Sequence, residues 1–337
     1  MLREHVESIR SSLVVAHTHA ASMRIHRRIQ NGTLRRLLSG VYIPTALLDR
    51  HGSSECRDIV FIARVCALSL RYPDYVMSGI VAAYLLGLPC EAHIGQLTLY
   101  APSRKCPIRV HFPEVVIDDS IRIPSVCVRT CRPGRPVSSI EYIGFRIASP
   151  ARVLIDCART LDDKHAFPIA CAALARACQF DRFRQDASRP RQEEARRDFR
   201  EALDTTPRNA RGRGHARWIV DHADAGCESP GEALVLLALA RAGIAGLTTQ
   251  EEVCVDGRMY FIDIALPALK IAIEFDGRIK YGETVSQVHD SIEAEQRRQR
   301  DLERAGWKVI RVRWSDLKLI DEVVAQVMVA IRSRSAR

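Results

Sequence analysis

Two acidic residues interrupt apolar runs in the stretch Tyr260-Phe261-Ile262-Asp263-Ile264-Ala265-Leu266-Pro267-Ala268-Leu269-Lys270-Ile271-Ala272-Ile273-Glu274-Phe275-Asp276-Gly277. A charge inside an apolar strand is costly unless it is paired or bound to a metal. If the two runs form an antiparallel hairpin turning between Ala268 and Leu269, Asp263 lies directly across from Glu274, with Cβ atoms about 5 Å apart. Asp276, two residues beyond Glu274, shares that face. Three carboxylates on one patch repel one another, and a cation that prefers hard oxygen ligands, Mg²⁺ or Mn²⁺, would relieve the repulsion. Such an ion lowers the pKa of a bound water and stabilises charge developing on a scissile phosphate. The competing reading puts the acids on the exposed face of a half-covered sheet, paired with Arg or Lys. A slip of one residue in register would carry Asp263 to the opposite face and remove the metal site.

The elements that must position these residues read as a helix over 229–243, then strands near 251–255, 259–266 and 270–276. A helix over about 284–305 and a strand over 307–314 complete the set. Ser229-Pro230-Gly231-Glu232 is a capping box, with Ser229 at the N-cap, Pro230 at N1 and Glu232 at N3. That role competes with Glu232 pointing at the acids. Arg298 follows Glu295 by three residues, so an ion pair on one helix face competes with contact to a phosphate.

The chain has 337 residues, 50 Lys+Arg against 40 Asp+Glu, and a formal net charge of +10. Its 47% hydrophobic and 27% charged residues exclude wholesale disorder. No apolar run approaches the ~20 residues of a bilayer span. The acidic residues near the start do not suit a signal peptide, so a cytoplasmic protein without membrane contact is expected. The 11 cysteines form no CxxC pair and read as reduced, small buried hydrophobes. Charge is unevenly distributed: +5 over 1–50, +4 over 51–180, +2 over 181–224 and −1 over 225–337. An anionic partner, DNA foremost, would meet the N-terminal part first.

Within 1–50, Leu2, Val6, Ile9 and Leu13 recur at helical spacing. A second helix fits 22–30, with Arg24, Arg27 and Arg28 outward and Asn31-Gly32 as its stop. Leu34 to Ile43 then reads as a basic hairpin turning at Ser39-Gly40 and carrying Arg35 and Arg36. Helices followed by a basic hairpin could neutralise phosphates, although arginine-rich helices are also ordinary solvated faces. Residues 51–180 read as mixed α/β, with helices over 55–71, 78–86 and 151–160 and strands over 96–100, 109–112 and 125–130. Ser149-Pro150 is expected to cap the last of these helices. His93 and His111 stand alone and read as structural. The charged stretch 181–215 reads as a linker or exposed helix at a domain boundary.

Two resemblances extend this reading. Arg27-Arg28-Ile29-Gln30-Asn31-Gly32-Thr33-Leu34-Arg35-Arg36-Leu37-Leu38-Ser39-Gly40-Val41-Tyr42 resembles the N-terminal winged helix of AbiEi-type antitoxins of type IV toxin–antitoxin systems. Residues 78–89 and Ile147-Ala148-Ser149-Pro150-Ala151-Arg152-Val153-Leu154-Ile155-Asp156 look like the domain that follows it in those proteins. This resemblance implies DNA binding, through Arg24, Arg27, Arg28, Arg35 and Arg36, and transcriptional autoregulation. In the C-terminal third, Asp263, Glu274-Phe275-Asp276-Gly277-Arg278-Ile279-Lys280-Tyr281 and the run Glu295 to Val312 resemble Vsr-like domains of the PD-(D/E)XK nuclease superfamily.

The second resemblance implies an αβββαβ core and a metal-dependent DNA endonuclease. Asp263 and Glu274 match the acids that hold Mg²⁺ or Mn²⁺, and a glutamate on the first helix, here Glu232, often points at the site. The superfamily pattern puts lysine where Asp276 stands, with Lys280 the nearest replacement to act at the phosphate. The expected organisation is therefore α/β (α+β, multi-domain). A winged helix over 1–50 precedes a mixed α/β domain over 51–180, a charged linker or helix over 181–215 and an endonuclease-like domain over 216–337. The alternative expectation is a non-catalytic, antitoxin-like regulator with a degenerate nuclease fold. DNA and a toxin or repair protein are the expected partners.

Overall fold

A computed structural model describes residues 2–16, 19–49, 51–90, 97–102, 109–118, 120–131, 137–277 and 285–335; for 19–22, 129 and 285–294 it describes the backbone. The chain is mixed α/β and divides into two compact units, Met1–Leu161 and Asp162–Arg337.

The first unit runs α1 (Leu2–Ser12), β1 (Val14–Val15), α2 (His19–Gln30), β2 (Leu34–Leu38), β3 (Val41–Pro44), α3 (Ser53–Arg71), β4 (Val76–Ser78) and α4 (Ile80–Leu85). It continues with β5 (Leu97–Tyr100), β6 (Arg109–Phe112), β7 (Val115–Val116), β8 (Arg122–Ile123), β9 (Val126–Cys131), β10 (Ser139–Tyr142), β11 (Phe145–Ala148) and α5 (Pro150–Thr160). The first three strands form a sheet in the order β1-β3-β2. Its hairpin turns at Ser39-Gly40, where Gly40 takes the positive φ of +80° that a residue without Cβ adopts freely. A six-stranded sheet in the order β10-β11-β4-β5-β9-β6 packs with α4 and α5, and α3, whose residues from Cys56 to Leu68 are almost all buried, packs on α1 and β2.

Residues 1–50 are not a separate body. α1 buries Val6 and Ile9 and packs on α3, Arg10 Nη2 donates to the Gly144 carbonyl at 2.9 Å, and Arg35 Nε donates to the Val116 carbonyl at 2.7 Å. Asp156 is buried but satisfied: it accepts from Ser78 Oγ at 2.6 Å and the Tyr100 hydroxyl at 2.7 Å, and pairs with Arg152. Pro150 opens α5 as expected, whereas the Ser149 side chain makes no capping hydrogen bond.

The second unit comprises α6 (Asp163–Cys178), α7 (Gln185–Asp204), α8 (Arg213–His222), α9 (Pro230–Arg241), β12 (Thr248–Val255), β13 (Arg258–Leu266), β14 (Ile271–Asp276), α10 (Val285–Arg304), β15 (Lys308–Arg313) and α11 (Ile320–Ser335). Of the two readings of 181–215, linker or exposed helix, a helix forms over most of the stretch, although one of its faces is buried rather than exposed. α7 buries Ser188, Gln192, Ala195, Arg196, Phe199 and Leu203 along one stripe, and the units divide after Leu161 instead. Arg196 is paid back for its burial by the carbonyls of Val220 and Ala223, each accepting at 2.7 Å.

The sheet of this unit is ordered β12-β13-β14-β15, antiparallel across the first two pairings and parallel across the last. Continuous burial of Ile262 and Ile264–Leu266, and of Ile271–Ile273, marks strands covered on both faces. The β13–β14 turn is a 3₁₀ turn over Pro267–Leu269 closed by Lys270 at φ +49°. One helix approaches the sheet very closely. A Cβ on Gly231, in the first turn of α9, would fall 2.1 Å from the Phe275 ring. That ring already meets Trp314 edge-on, with centroids 5.2 Å apart. Among the described residues, no helix is long and apolar enough to cross a membrane.

Gly231→Ala is expected to push Phe275 off Trp314 and cost about 1–3 kcal/mol through overpacking. A lower Tm together with a changed tryptophan emission spectrum is the expected result. Unchanged Tm and emission would show that the approach of α9 is not limiting.

Candidate functional site

In β13 and β14, Ile264 opposes Ile273, Ala265 opposes Ala272 and Leu266 opposes Ile271. Extending this register by one step brings Asp263 opposite Glu274, but the ladder ends before that pair. The Phe275 amide donates at 2.8 Å to Asp263 Oδ2 instead of to a strand carbonyl. From Glu274 onward β14 remains paired on its other side only, with Glu274 beside Arg311, Phe275 beside Val312 and Asp276 beside Arg313 of β15. The splayed end leaves the two carboxylates side by side where the strands part.

The third carboxylate at this place is Glu232, not Asp276. Burial and the charge on Asp263 push the Glu232 carboxyl up to about 7. Burial and the same charge push Glu274 up to about 7, against the pull of Arg298 and Arg311. Asp263 is raised by burial, and the Phe275 amide and Arg298 draw it back. Glu232 also takes part in the cap, in a variant of the expected box: its backbone amide donates to Ser229 Oγ at 3.2 Å, while its carboxylate accepts from Ser229 Oγ at 2.7 Å and from the Glu228 amide at 2.8 Å instead of the Ser229 amide. The two roles expected to compete coexist, because a cap at the start of α9 already lies close to Asp263. Asp276 turns instead toward Arg313, whose Nε lies 3.9 Å from Oδ2.

Arg298 is the main countercharge. Its Nη2 donates to both Glu274 oxygens, at 2.8 and 2.6 Å, and to the Phe261 carbonyl. The expected pairing of Glu295 with Arg298 is replaced: Glu295 pairs with Arg311. Both Arg298 and Arg311 keep a buried Nε–H without a hydrogen-bond partner among the described residues. A second cation approaches from the turn before α7, where Arg182 pairs with Glu228 at 2.9 Å, lies over the Phe261 ring and lowers the pKa of Asp263. No sequence signal singled out Arg182 or Glu228. Arg311 was legible only as part of a final strand.

Lys280 lies outside the described residues. Of the N-terminal arginines, Arg24, Arg27, Arg28 and Arg36 are exposed. Arg35 is engaged with the carbonyls of Val116 and Gly32 and holds the hairpin rather than reaching outward. The cysteines divide more evenly than expected: Cys56, Cys66, Cys157, Cys171, Cys178 and Cys227 are buried, whereas Cys127 and Cys254 are exposed.

The donor set suits a hard divalent cation in a limited way. Among the described residues no three His, Cys, Asp or Glu side chains stand close enough to chelate an ion. Mg²⁺, however, is commonly held by one or two carboxylates together with waters and substrate phosphates. Asp263 and Glu274 can supply those two carboxylates, with Arg298 as the competitor for Glu274. No family model, curated protein or solved structure matches the chain.

The raised carboxyls fix a direction for stability. Glu232 and Glu274 titrate near 7 when folded and near 4.5 otherwise, so the folded chain holds more protons between these values. Their contribution is therefore present below about 4.5 and lost as pH rises to about 7. In EDTA, Tm of the wild type is expected to fall across this window through this cluster, by about 3–6 °C relative to Glu232→Gln. Identical pH profiles for the two proteins would remove Glu232 from the cluster.

Proposed function

We propose that the second unit carries a metal-dependent phosphodiesterase site of the PD-(D/E)XK type acting on DNA, and that the first unit contributes DNA contacts through a winged helix formed by α1, α2 and the β2–β3 hairpin. The observation that carries this reading is the group of buried Glu232 with half-buried Asp263 and Glu274 where β13 and β14 part, within the element order α9-β12-β13-β14-α10-β15. All three acids are raised, chiefly by desolvation, so their charged forms are disfavoured here and an added cation would favour them.

Asp263 and Glu274 would hold Mg²⁺ or Mn²⁺. When bound, the ion supplies an activated water and neutralises the phosphate. Glu232, poised near neutral pH, is suited to take a proton from the attacking water. Arg298 neutralises Glu274 in this structure; with Glu274 holding a metal, its guanidinium would be available to a phosphate oxygen. Lys280 would assist at the same phosphate. Arg24, Arg27, Arg28 and Arg36 would lie along the DNA backbone.

A second reading has a specific observation in its favour. Asp276 replaces the lysine of the superfamily pattern, and Arg298 already satisfies Glu274 without a metal. On that reading the protein is a non-catalytic, antitoxin-like regulator that binds DNA and a toxin or repair partner, with the acidic residues serving only the packing of the fold.

One set of measurements separates the two. The nuclease reading expects Mg²⁺- or Mn²⁺-dependent nicking of plasmid DNA by the wild type and a loss of about a hundredfold or more in Asp263→Ala. It also expects Mn²⁺ to raise the Tm of the wild type and not of that variant. Absence of nicking, with a gel shift on the gene's own upstream DNA that survives Asp263→Ala, would establish the regulator instead.

A further inference from the structure

A second charged feature of this unit belongs to neither the carboxylate trio nor the N-terminal arginines. On the side of α10 facing the β12–β13 turn lies a pocket of about 630 Å³ lined by Arg258, Arg297, Arg300, Asp301, Glu303 and Arg304. Every lining residue is charged, and four of the six are arginines. Two of these are held in place from below. Asp301 is only 2% exposed, fixed by the Tyr260 hydroxyl at 2.6 Å, and it pairs with Arg304 and, at 3.4 Å, with Arg258. Arg304 also lies 3.6 Å from Asp256. The remaining acid, Glu303, accepts from Gln299 at 2.8 Å.

Arg297 and Arg300 are exposed and have no hydrogen bond or ion pair among the described residues. Together with Arg304 they stand three and then four residues apart, one stripe of like charge on a helix. Such a stripe destabilises the isolated helix and gains when an anion bridges it.

We infer that this pocket is an anchoring site for the phosphodiester backbone of nucleic acid, formed by Arg258, Arg297, Arg300 and Arg304 on the helix that also carries Arg298. The inference deepens the proposed function by adding a grip within the same unit as the acids. The shape of the array selects the ligand. Helix rise spaces the three α10 guanidiniums by about 4.5 and then 6 Å, a line that suits a linear polyanion better than one small anion. A membrane-binding face needs Leu, Phe or Trp beside its basic residues, and no such side chain lines this pocket. Arg298, next to Arg297 in sequence, turns to Glu274. A backbone held on the stripe therefore runs beside the helix that reaches the carboxylates.

The test uses the full chain, a fluorescein-labelled DNA duplex of mixed sequence, and EDTA so that no cleavage intervenes. Arg297→Gln/Arg300→Gln is compared with wild type and with Arg197→Gln/Arg208→Gln, which removes the same charge from exposed positions of the same unit. Anisotropy titrations over a range of salt give Kd and its salt slope. The pocket variant is expected to bind about ten- to a hundredfold more weakly at low salt, with a slope reduced by about 2, while the control stays near wild type. A pocket variant with wild-type Kd and slope, or a control that loses as much, overturns the inference. Binding here is independent of plasmid nicking. Loss of slope without nicking keeps the anchor and removes the nuclease, and nicking with an unchanged slope does the reverse.

Discussion

The second unit is organised around one electrostatic constraint: Glu274 is half-buried in a strand, and the guanidinium of Arg298 must meet it there. Removing one partner of a pair withdrawn from solvent leaves the other uncompensated, less severely here because the Arg298 side chain is still 31% exposed. That requirement fixes the surroundings. α10 must lie against β13 so that Arg298 reaches both Glu274 and the Phe261 carbonyl. β15 must run parallel to β14 so that Arg311 stands beside Glu274. The missing side chain of Gly231 lets α9 close on Phe275, which brings Glu232 to Asp263. The pair thus ties α10 to the β13–β14 hairpin, 24 residues back from Arg298 to Glu274.

Much of this was legible, for identifiable reasons. The hairpin register follows from a short turn centred between Ala268 and Leu269 that joins two apolar runs, and Ile264 and Ile273 fall opposite each other as it requires. Asp276 misled because face-sharing along β14 was counted without its second neighbour. β14 pairs with β15, so Arg313 lies beside Asp276 and draws it away. The helix over 185–204 was obscured by composition. Its inward stripe includes Ser188, Gln192 and Arg196, polar residues that pattern reading assigns to solvent but that hydrogen bonds allow inside. The division after Leu161 carried no glycine or proline cluster, and α11 lay beyond the last motif.

Arginine count and anionic contact turn out to be different quantities. Arg10, Arg35, Arg64 and Arg196 each donate to backbone carbonyls, acting as polar cross-links within their own unit. Guanidinium suits this work because its planar fork carries five donors and keeps its charge. Some of the excess that suggests a nucleic-acid partner is thus spent on the fold. What remains for a ligand is narrower: the exposed face of α2, Arg36, and the stripe on α10.

The parallel pairing of β14 with β15 also has a consequence in time. Asp263 and Glu274 meet through a short turn, among the quickest contacts a chain can make. Arg298 lies 24 residues beyond Glu274 and arrives only when α10 crosses over and β15 docks, a non-local step of the kind that slows folding. Until then the two acids remain hydrated and free to separate. A nascent or partly unfolded chain therefore holds Asp263 and Glu274 without the burial that raises their pKa values, which the docking of α10 and β15 completes.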